Sequence, residues 1–405
     1  MMKPKFSPRN LLNQGLVGLS HMVRTVFVGQ SREFKILVFI VTFMVVFGAT
    51  MVLSSSYVDS AANQLNPFGE LWSQLAAVAI GAFLLLVFAF LKPDTVGRLA
   101  LFGMGVGLFL EGLVLFTPLG VEINGNRNWL DVGFSLQPSE LLKIAMIVYV
   151  AKLIMHPKPF ERDDYRFWMP PALVFSLLAI LVAGFGKDVG TVIVMALILF
   201  GMFYMAGLPW KYVVGVIVAA VIAVPLLMVS SASRLGRVMA WLNPNAPDPN
   251  GYNWQSTHGE WAFASGGFFG TGLGKSKMKW SWIPEAQNDF IFAIVGEEWG
   301  LIGALGIIAL FVAMGSVMFK IAAKAQDPYQ KLVVYGVTFW IMSQAFINIS
   351  VVLTMFPVLG VNLPLISAGG TSMLASLIAI GLVLGIDREN SAKISRKSSK
   401  GLVRR

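Results

Sequence analysis

ILVFIVTFMVVFGATMVLS, residues 36–54, runs nineteen residues without a charged side chain. As a helix rising 1.5 Å per residue it nearly matches the roughly 30 Å hydrocarbon core of a bilayer. Nine more apolar runs follow it, at about 71–91, 99–118, 138–154, 168–185, 189–207, 211–232, 289–319, 332–354 and 363–386. The first comes after a polar, basic stretch of about 35 residues, and no small-residue cleavage motif follows it. It therefore reads as a retained span and not a cleaved signal.

Composition agrees with the runs. Of 405 residues, 56% are hydrophobic and 13% charged, with a mean hydropathy of +0.71. A soluble domain carries about 25% charged residues, so this chain has too little polar surface to cover itself in water. The expected fold is all-α: a polytopic integral membrane protein with ten transmembrane helices. The absence of cysteine excludes disulfides, zinc-thiolate sites, iron–sulfur clusters and thiol catalysis. A net charge of +10 does not point to nucleic acid, because no stretch is long and polar enough to form a basic domain.

Lys and Arg set the orientation. With ten spans both tails lie on one side, and that side collects 23 of the 31 cations against seven on the other. The excess marks the cytoplasm, so both termini are expected there. The chain then divides into a basic cytoplasmic tail (1–35), a ten-helix membrane domain (36–386) and a second basic tail (387–405). The seven outer cations are Arg127, Lys187, Arg234, Arg237, Lys275, Lys277 and Lys279. Six fall in two connections, 119–137 and 233–288, the second being the large extracytoplasmic loop between helices 7 and 8. Connections beyond about 15 residues are usually functional or disordered. This one is rich in aromatic residues and glycine, which suits folded or half-inserted segments at the membrane interface.

Ionisable groups inside apolar runs are costly and are functional candidates by default. Gln137-Pro138-Ser139-Glu140 reads as a helix start, and Lys143 lies on the same helical face as Glu140. The pair is either a tolerated ion pair or the wall of a wet cavity, where Arg127 and Trp129 would add a phosphate-binding cation and an aromatic wall. Gly186-Lys187-Asp188-Val189-Gly190-Thr191 joins two apolar runs almost without a loop. It fits either a broken helix lining a cavity or a tight surface hairpin. Asp289 opens the eighth run as a helix N-cap or as a reactive carboxylate. Further along, Glu297 and Glu298 point to different helix faces, so at most one joins the Asp289 side. Gly270-Thr271-Gly272-Leu273-Gly274-Lys275 lacks the flanking strand and helix of a nucleotide site. His258, Glu260 and the other histidines lack metal-ligand spacing, so neither nucleotide, haem nor zinc is expected.

Three long motifs occur in order: Asn128-Trp129-Leu130-Asp131-Val132-Gly133 through Gln137-Pro138-Ser139-Glu140-Leu141-Leu142-Lys143; Pro284-Glu285-Ala286-Gln287-Asn288-Asp289-Phe290 with Gly296-Glu297-Glu298-Trp299-Gly300; and Leu363-Pro364-Leu365-Ile366-Ser367-Ala368-Gly369-Gly370-Thr371-Ser372. Together they resemble the SEDS family of membrane glycosyltransferases over about residues 36–388. Division-type members are the nearer likeness, on the Pro284-Glu285-Ala286 lead-in and the basic N-terminal tail, with elongation-type members second. The resemblance implies polymerisation of lipid II into septal peptidoglycan at the outer face of a bacterial cytoplasmic membrane. It also implies a class B penicillin-binding protein as transpeptidase partner, contacts with other division proteins and with membrane lipids, and no nucleic acid. The family's essential aspartate falls on Asp289 and its cavity pair on Glu140 and Lys143. The matched motifs add Asp188, Glu285 and Ser367 as substrate-binding candidates. One departure stands out: relatives commonly show Gln-Pro before the aspartate where this chain has Gly186-Lys187.

Chain extension needs a base for the acceptor 4-hydroxyl and cations for the departing pyrophosphate. An α-linked donor giving a β-linkage is a single inversion, for which one carboxylate suffices. Asp289 is the expected base. Lys143, Arg127, Lys275 and Lys277 are candidates for the pyrophosphate, and a divalent cation such as Mg2+ is expected to share that charge. Glu140 would orient Lys143 or hold the metal. Two other classes stay open at this point, a lipid II flippase and a non-catalytic division scaffold.

Overall fold

The computed structural model describes residues 22–402 apart from 24, 28–29, 63–65, 67, 124, 134, 158, 230, 246–247, 249–250, 281 and 285. Each apolar run forms a helix. In chain order these are α1 (Arg32–Ala62), α2 (Gly69–Phe90), the short α3 (Pro93–Arg98), α4 (Ala100–Phe116), α5 (Pro138–Met155), α6 (Tyr165–Ala179), α7 (Val189–Met205) and α8 (Trp210–Val229). Like the short α3, α9 (Ala232–Leu242) and α10 (Trp254–Gly266) lie outside the apolar runs; they precede the long α11 (Ile291–Lys324), α12 (Pro328–Val352) and α13 (Gly370–Leu402). Among the described residues, seven helices are long and apolar enough to cross a membrane, namely α1, α2, α6 with its continuation, α8, α11, α12 and α13. Of the remainder, α4 and α7 are apolar but only 17 residues each. α5 spans 18 residues and is made more polar by Glu140, Lys143 and Lys152.

Three details depart from the expected pattern. The 119–137 connection is not helical or irregular but an antiparallel three-stranded sheet, β1 (Gly120–Ile123), β2 (Asn126–Asp131) and β3 (Ser135–Leu136), so the all-α expectation is corrected there. Its strands pair backbone groups that neither neighbouring helix can satisfy. The tenth run becomes helical only at Gly370, seven residues later than expected. Pro364 and the left-handed Leu365 (φ 66°) hold the preceding apolar residues in a loop. Finally, α6 continues into a π-helical segment, Ile180–Phe185.

The centre of the bundle is α12 and α13, with 72% and 89% of their apolar windows buried, against 6% for the peripheral α8. In lipid, helices gain little from hydrophobic exclusion and pack through close backbone approach at small residues. Gly381 and Gly385 serve this on α13: a Cβ at Gly381 would stand 2.6 Å from the Leu85 carbonyl oxygen, and one at Gly385 2.9 Å from that of Phe88. α11 is broken at Gly300 (φ 66°, ψ −166°). There Leu301 and Ile302 donate their N–H groups to the Gly267 and Phe268 carbonyls, pinning the loop after α10 against the kink. The sheet, the 186–188 turn, α9, α10 and the 353–369 loop all meet at one end of the bundle.

Candidate active site

Asp289 sits on the turn that leads into α11. The cap position of that helix is Phe290, which offers no side-chain acceptor, so Asp289 is not the N-cap. Its backbone is nonetheless fixed from several sides. Trp254 and Gln255 of α10 donate to the carbonyls of Trp282 (2.6 Å) and Pro284 (2.9 Å). The Ala368 N–H donates to the Gln287 carbonyl (2.9 Å), the Ser367 hydroxyl to that of Asn288 (2.6 Å), and the Asn348 amide to that of Asp289 itself (2.7 Å). Phe290 and Ile291 behind it are fully buried, while Asp289 is half-buried. Its carboxylate lies over Gly360, where a Cβ would be 3.6 Å from Oδ2. A rigid backbone carrying a partly open carboxylate is the arrangement a positioned base requires.

Lys143 is only 1% exposed. Its ammonium donates to Glu140 Oε1 at 2.7 Å and Gln344 Oε1 at 2.8 Å, and lies 4.8 Å from the Trp340 ring centroid. The pair is thus enclosed by protein and does not line an open wet cavity. Gln344 also accepts from Trp340 Nε1 (2.6 Å) and donates to the Asn362 carbonyl (3.1 Å). One helical turn on, Asn348 donates to both the Asp289 and Val361 carbonyls, at 2.7 Å each. α12 therefore links the buried pair to the turn bearing Asp289 through Gln344 and Asn348. The sequence reading missed both residues, although two amides four apart in an apolar run were a visible signal. It also missed Glu111 on α4, fully buried with both carboxylate oxygens unpartnered.

The 186–188 segment is the tight turn, not a broken helix. Asp188 caps α7, accepting from the Thr191 N–H (3.0 Å) and hydroxyl (2.9 Å), and it also accepts from Asn128 (2.8 Å) and Gln137 (3.2 Å). With its oxygens so occupied it braces β2, α5 and α7 together. Lys187 adopts φ 61°, which proline, locked near −65°, cannot reach, so the turn is built differently from a Gln-Pro version. Arg127 donates to the Val114 and Thr117 carbonyls (2.8 and 2.7 Å), tying β2 to the end of α4. Trp129 is half-buried in β2, across from Val121. Ser367 accepts from the Leu363 N–H (2.8 Å) while donating to Asn288, so both of its roles go to the backbone. Glu285 lies outside the described residues.

Neither glutamate of α11 joins Asp289. Glu298 pairs with buried Lys279 (3.1 Å) and accepts from Ser54 (2.7 Å). Glu297 accepts from the Lys277 N–H (2.8 Å) and from the Ser276 hydroxyl. Together they fasten the 270–280 loop and leave the Lys275 and Lys277 side chains exposed. In the glycine run, the Thr271 and Gly272 N–H groups go to the Glu297 and Glu298 carbonyls, which leaves those donors unavailable to a phosphate. Among the described residues no group of three or more His, Asp or Glu is placed to hold a metal.

The FtsW/RodA/SpoVE family, described as cell cycle proteins, matches residues 34–392. A probable peptidoglycan glycosyltransferase FtsW of Mycobacterium tuberculosis is 37% identical over 370 residues, 90% of this chain and 69% of that protein. One from Trichlorobacter lovleyi is 35% identical over 355 residues, 87% of this chain and 92% of the relative. Among solved structures, a chain from a peptidoglycan synthase complex that coordinates polymerization and crosslinking matches with a TM-score of 0.72. It is 26% identical, covering 90% of this chain and 99% of that one. The rod shape determining protein RodA of Thermus thermophilus gives 0.66 at 26% identity, covering 90% and 98% respectively.

Proposed function

Because this chain belongs to the FtsW/RodA/SpoVE family, we propose that it polymerises lipid II during septal wall synthesis, with Asp289 as general base. It is a peptidoglycan glycosyltransferase. Ten spans with both termini in the cytoplasm, as the Lys and Arg asymmetry favours, put the sheet, α9, α10 and the Asp289 turn at the outer face. There the sugar and pyrophosphate of a lipid-linked substrate can reach them while its tail stays in the bilayer. The acceptor 4-hydroxyl gives its proton to Asp289, the oxygen bonds to the donor's anomeric carbon, and the polyprenyl pyrophosphate leaves with the bonding pair.

What carries this reading is the Asp289 turn, whose carbonyls are held by Ser367, Ala368 and Asn348 while its side chain stays half open. A divalent cation, if the reaction uses one, would sit mainly on the substrate pyrophosphate, as Mg2+ commonly does with one or two carboxylates. The partner is a class B penicillin-binding protein, a reading supported by the likeness to a chain of a polymerising and crosslinking complex. Purified protein in detergent, given lipid II with and without that partner, tests the activity by gel analysis of polymer. Because detergent has no membrane sides, polymer there also separates a polymerase from a flippase. Asp289→Asn should fold and bind its partner but lose at least about 100-fold in turnover, the lower end for a positioned base. A loss of only a few-fold would remove Asp289 from the role.

A further inference from the structure

An open cleft of about 70 Å³ lies beside the 186–190 turn, between the β1–β2 turn, the start of α9 and residues 357–359. Its wall carries Lys187, Arg234 and Arg237, with the hydroxyls of Ser231 and Ser233, and no carboxylate side chain. Arg234 is fixed across it, donating to the Leu227 and Lys187 carbonyls at 3.1 and 3.0 Å. Partial burial and then the neighbouring Arg237 hold the Arg234 pKa below the usual arginine range, with Asp188 opposing them. The Arg237 and Lys187 side chains engage no hydrogen-bond or ion-pair partner among the described residues. Asp188, close behind, is 5% exposed and already accepts four hydrogen bonds. Three cations at a concave wall without an acidic side chain repel one another until an anion joins them.

The cleft also lies next to the base. Leu359 lines it, and the following residue, Gly360, is the one beneath the Asp289 carboxylate. At 3.8 Å between successive Cα atoms, the edge of the cleft and the carboxylate are roughly 5–10 Å apart, about the width of one sugar ring.

We propose that this cleft is a diphosphate site, in which Lys187, Arg234 and Arg237 hold the pyrophosphate of the polyprenyl-linked sugar donor. The inference rests on the polymerase reading above and gives that reaction its leaving-group site. As the acceptor oxygen, having passed its proton to Asp289, bonds to the anomeric carbon, the bond from that carbon to the phosphate oxygen breaks. The electron pair departs on the diphosphate, whose added negative charge the three cations balance. Planar guanidinium groups suit such an anion because they offer paired donors. The phosphodiester of an anionic phospholipid presents the same chemistry, so the test separates the two sources.

The full-length protein with its transpeptidase partner is placed in nanodiscs of phosphatidylcholine alone or with phosphatidylglycerol. The Lys187→Gln/Arg237→Gln variant is compared with wild type and with Lys92→Gln/Lys320→Gln, the same charge loss at the other end of the helices. Each lost charge-assisted contact is worth about tenfold. The KM for lipid II and the inhibition constant of inorganic pyrophosphate should both rise 10- to 100-fold, in both lipids, for the cleft variant only. Lys187→Arg/Arg237→Lys, which restores both charges, should recover most of this loss, and tryptophan-fluorescence melting checks the fold. Unchanged KM and pyrophosphate inhibition in a variant that still polymerises overturns the cleft assignment alone. An effect seen only with phosphatidylglycerol present assigns the cleft to phospholipid and overturns it equally. If wild type forms no polymer, binding of labelled lipid II to the Asp289→Asn protein still reads the cleft, and the failure then belongs to the polymerase reading.

Discussion

Asn348→Ala probes whether the Asp289 turn works by being held still. Both amide hydrogens of Asn348 are spent on carbonyls, those of Asp289 and Val361 at 2.7 Å each, at a residue 1% exposed. Removing the donor leaves two buried acceptors unsatisfied, about 1–3 kcal/mol each. Asn348 Oδ1 is itself buried and unpartnered, so its loss returns part of that cost. A net penalty of about 3 kcal/mol, concentrated where Asp289 meets the 357–361 segment, corresponds to about 100-fold in rate if the fixed arrangement is the reactive one. Initial rates at saturating lipid II should fall by that factor. Melting followed by the fluorescence of the protein's 11 tryptophans should show the helices still assembled. Asn348→Asp should not rescue, because a carboxylate brings acceptors to a place that needs donors. A folded Asn348→Ala protein with kcat within threefold of wild type would refute the idea that this amide positions the base.

Two further substitutions follow from buried geometry. Lys143→Met strands Glu140, 5% exposed, and should cost about 3–5 kcal/mol, whereas Glu140→Gln/Lys143→Met should melt near wild type. If the double variant also keeps its kcat, the pair is structural, and if kcat falls while melting does not, the pair acts on the reaction. Gly300→Ala should lower the melting temperature clearly. Its φ of 66° with ψ −166° is a glycine conformation, and the new Cβ would stand 2.6 Å from the Phe268 carbonyl oxygen, a backbone atom that cannot turn away.

The helices were legible because a bilayer admits few alternatives: long uncharged runs must satisfy their own backbone groups. What the runs hid was where apolar residues stop being helical. Leu363-Pro364-Leu365-Ile366 is as apolar as a span yet forms the loop that carries Ser367 and Ala368 to the Asp289 turn, because Pro364 removes a donor and Leu365 is left-handed. At the site, charged residues drew attention to themselves, whereas the amides did not. Gln344 and Asn348 connect Lys143 to Asp289; their four-residue spacing in an apolar run is visible in the sequence, but which distant carbonyls they hold is not. Lys279 misled in the opposite sense. It counts as an outer cation by topology, but its partner Glu298 lies 19 positions on, across a loop whose path no local pattern reveals.

The seven cations assigned to the outer side are therefore not equivalent. Arg127 and Lys279 serve the framework, one bound to the carbonyls at the end of α4 and the other paired with Glu298 inside the bundle. Lys275 and Lys277 extend from a loop whose backbone is fastened while their own side chains stay exposed, where screening by salt leaves an isolated charge little hold on a ligand. Lys187, Arg234 and Arg237 share one concave wall, and a recess concentrates field that an open surface loses to water. A charge-loss series should therefore split by place and not by count. Removing Lys275 and Lys277 should weaken lipid II use mainly at low ionic strength, and removing Lys187 and Arg237 should weaken it at any. Equal salt dependence in the two variants, read from KM between low and physiological salt, would show that the recess confers no advantage over the exposed loop.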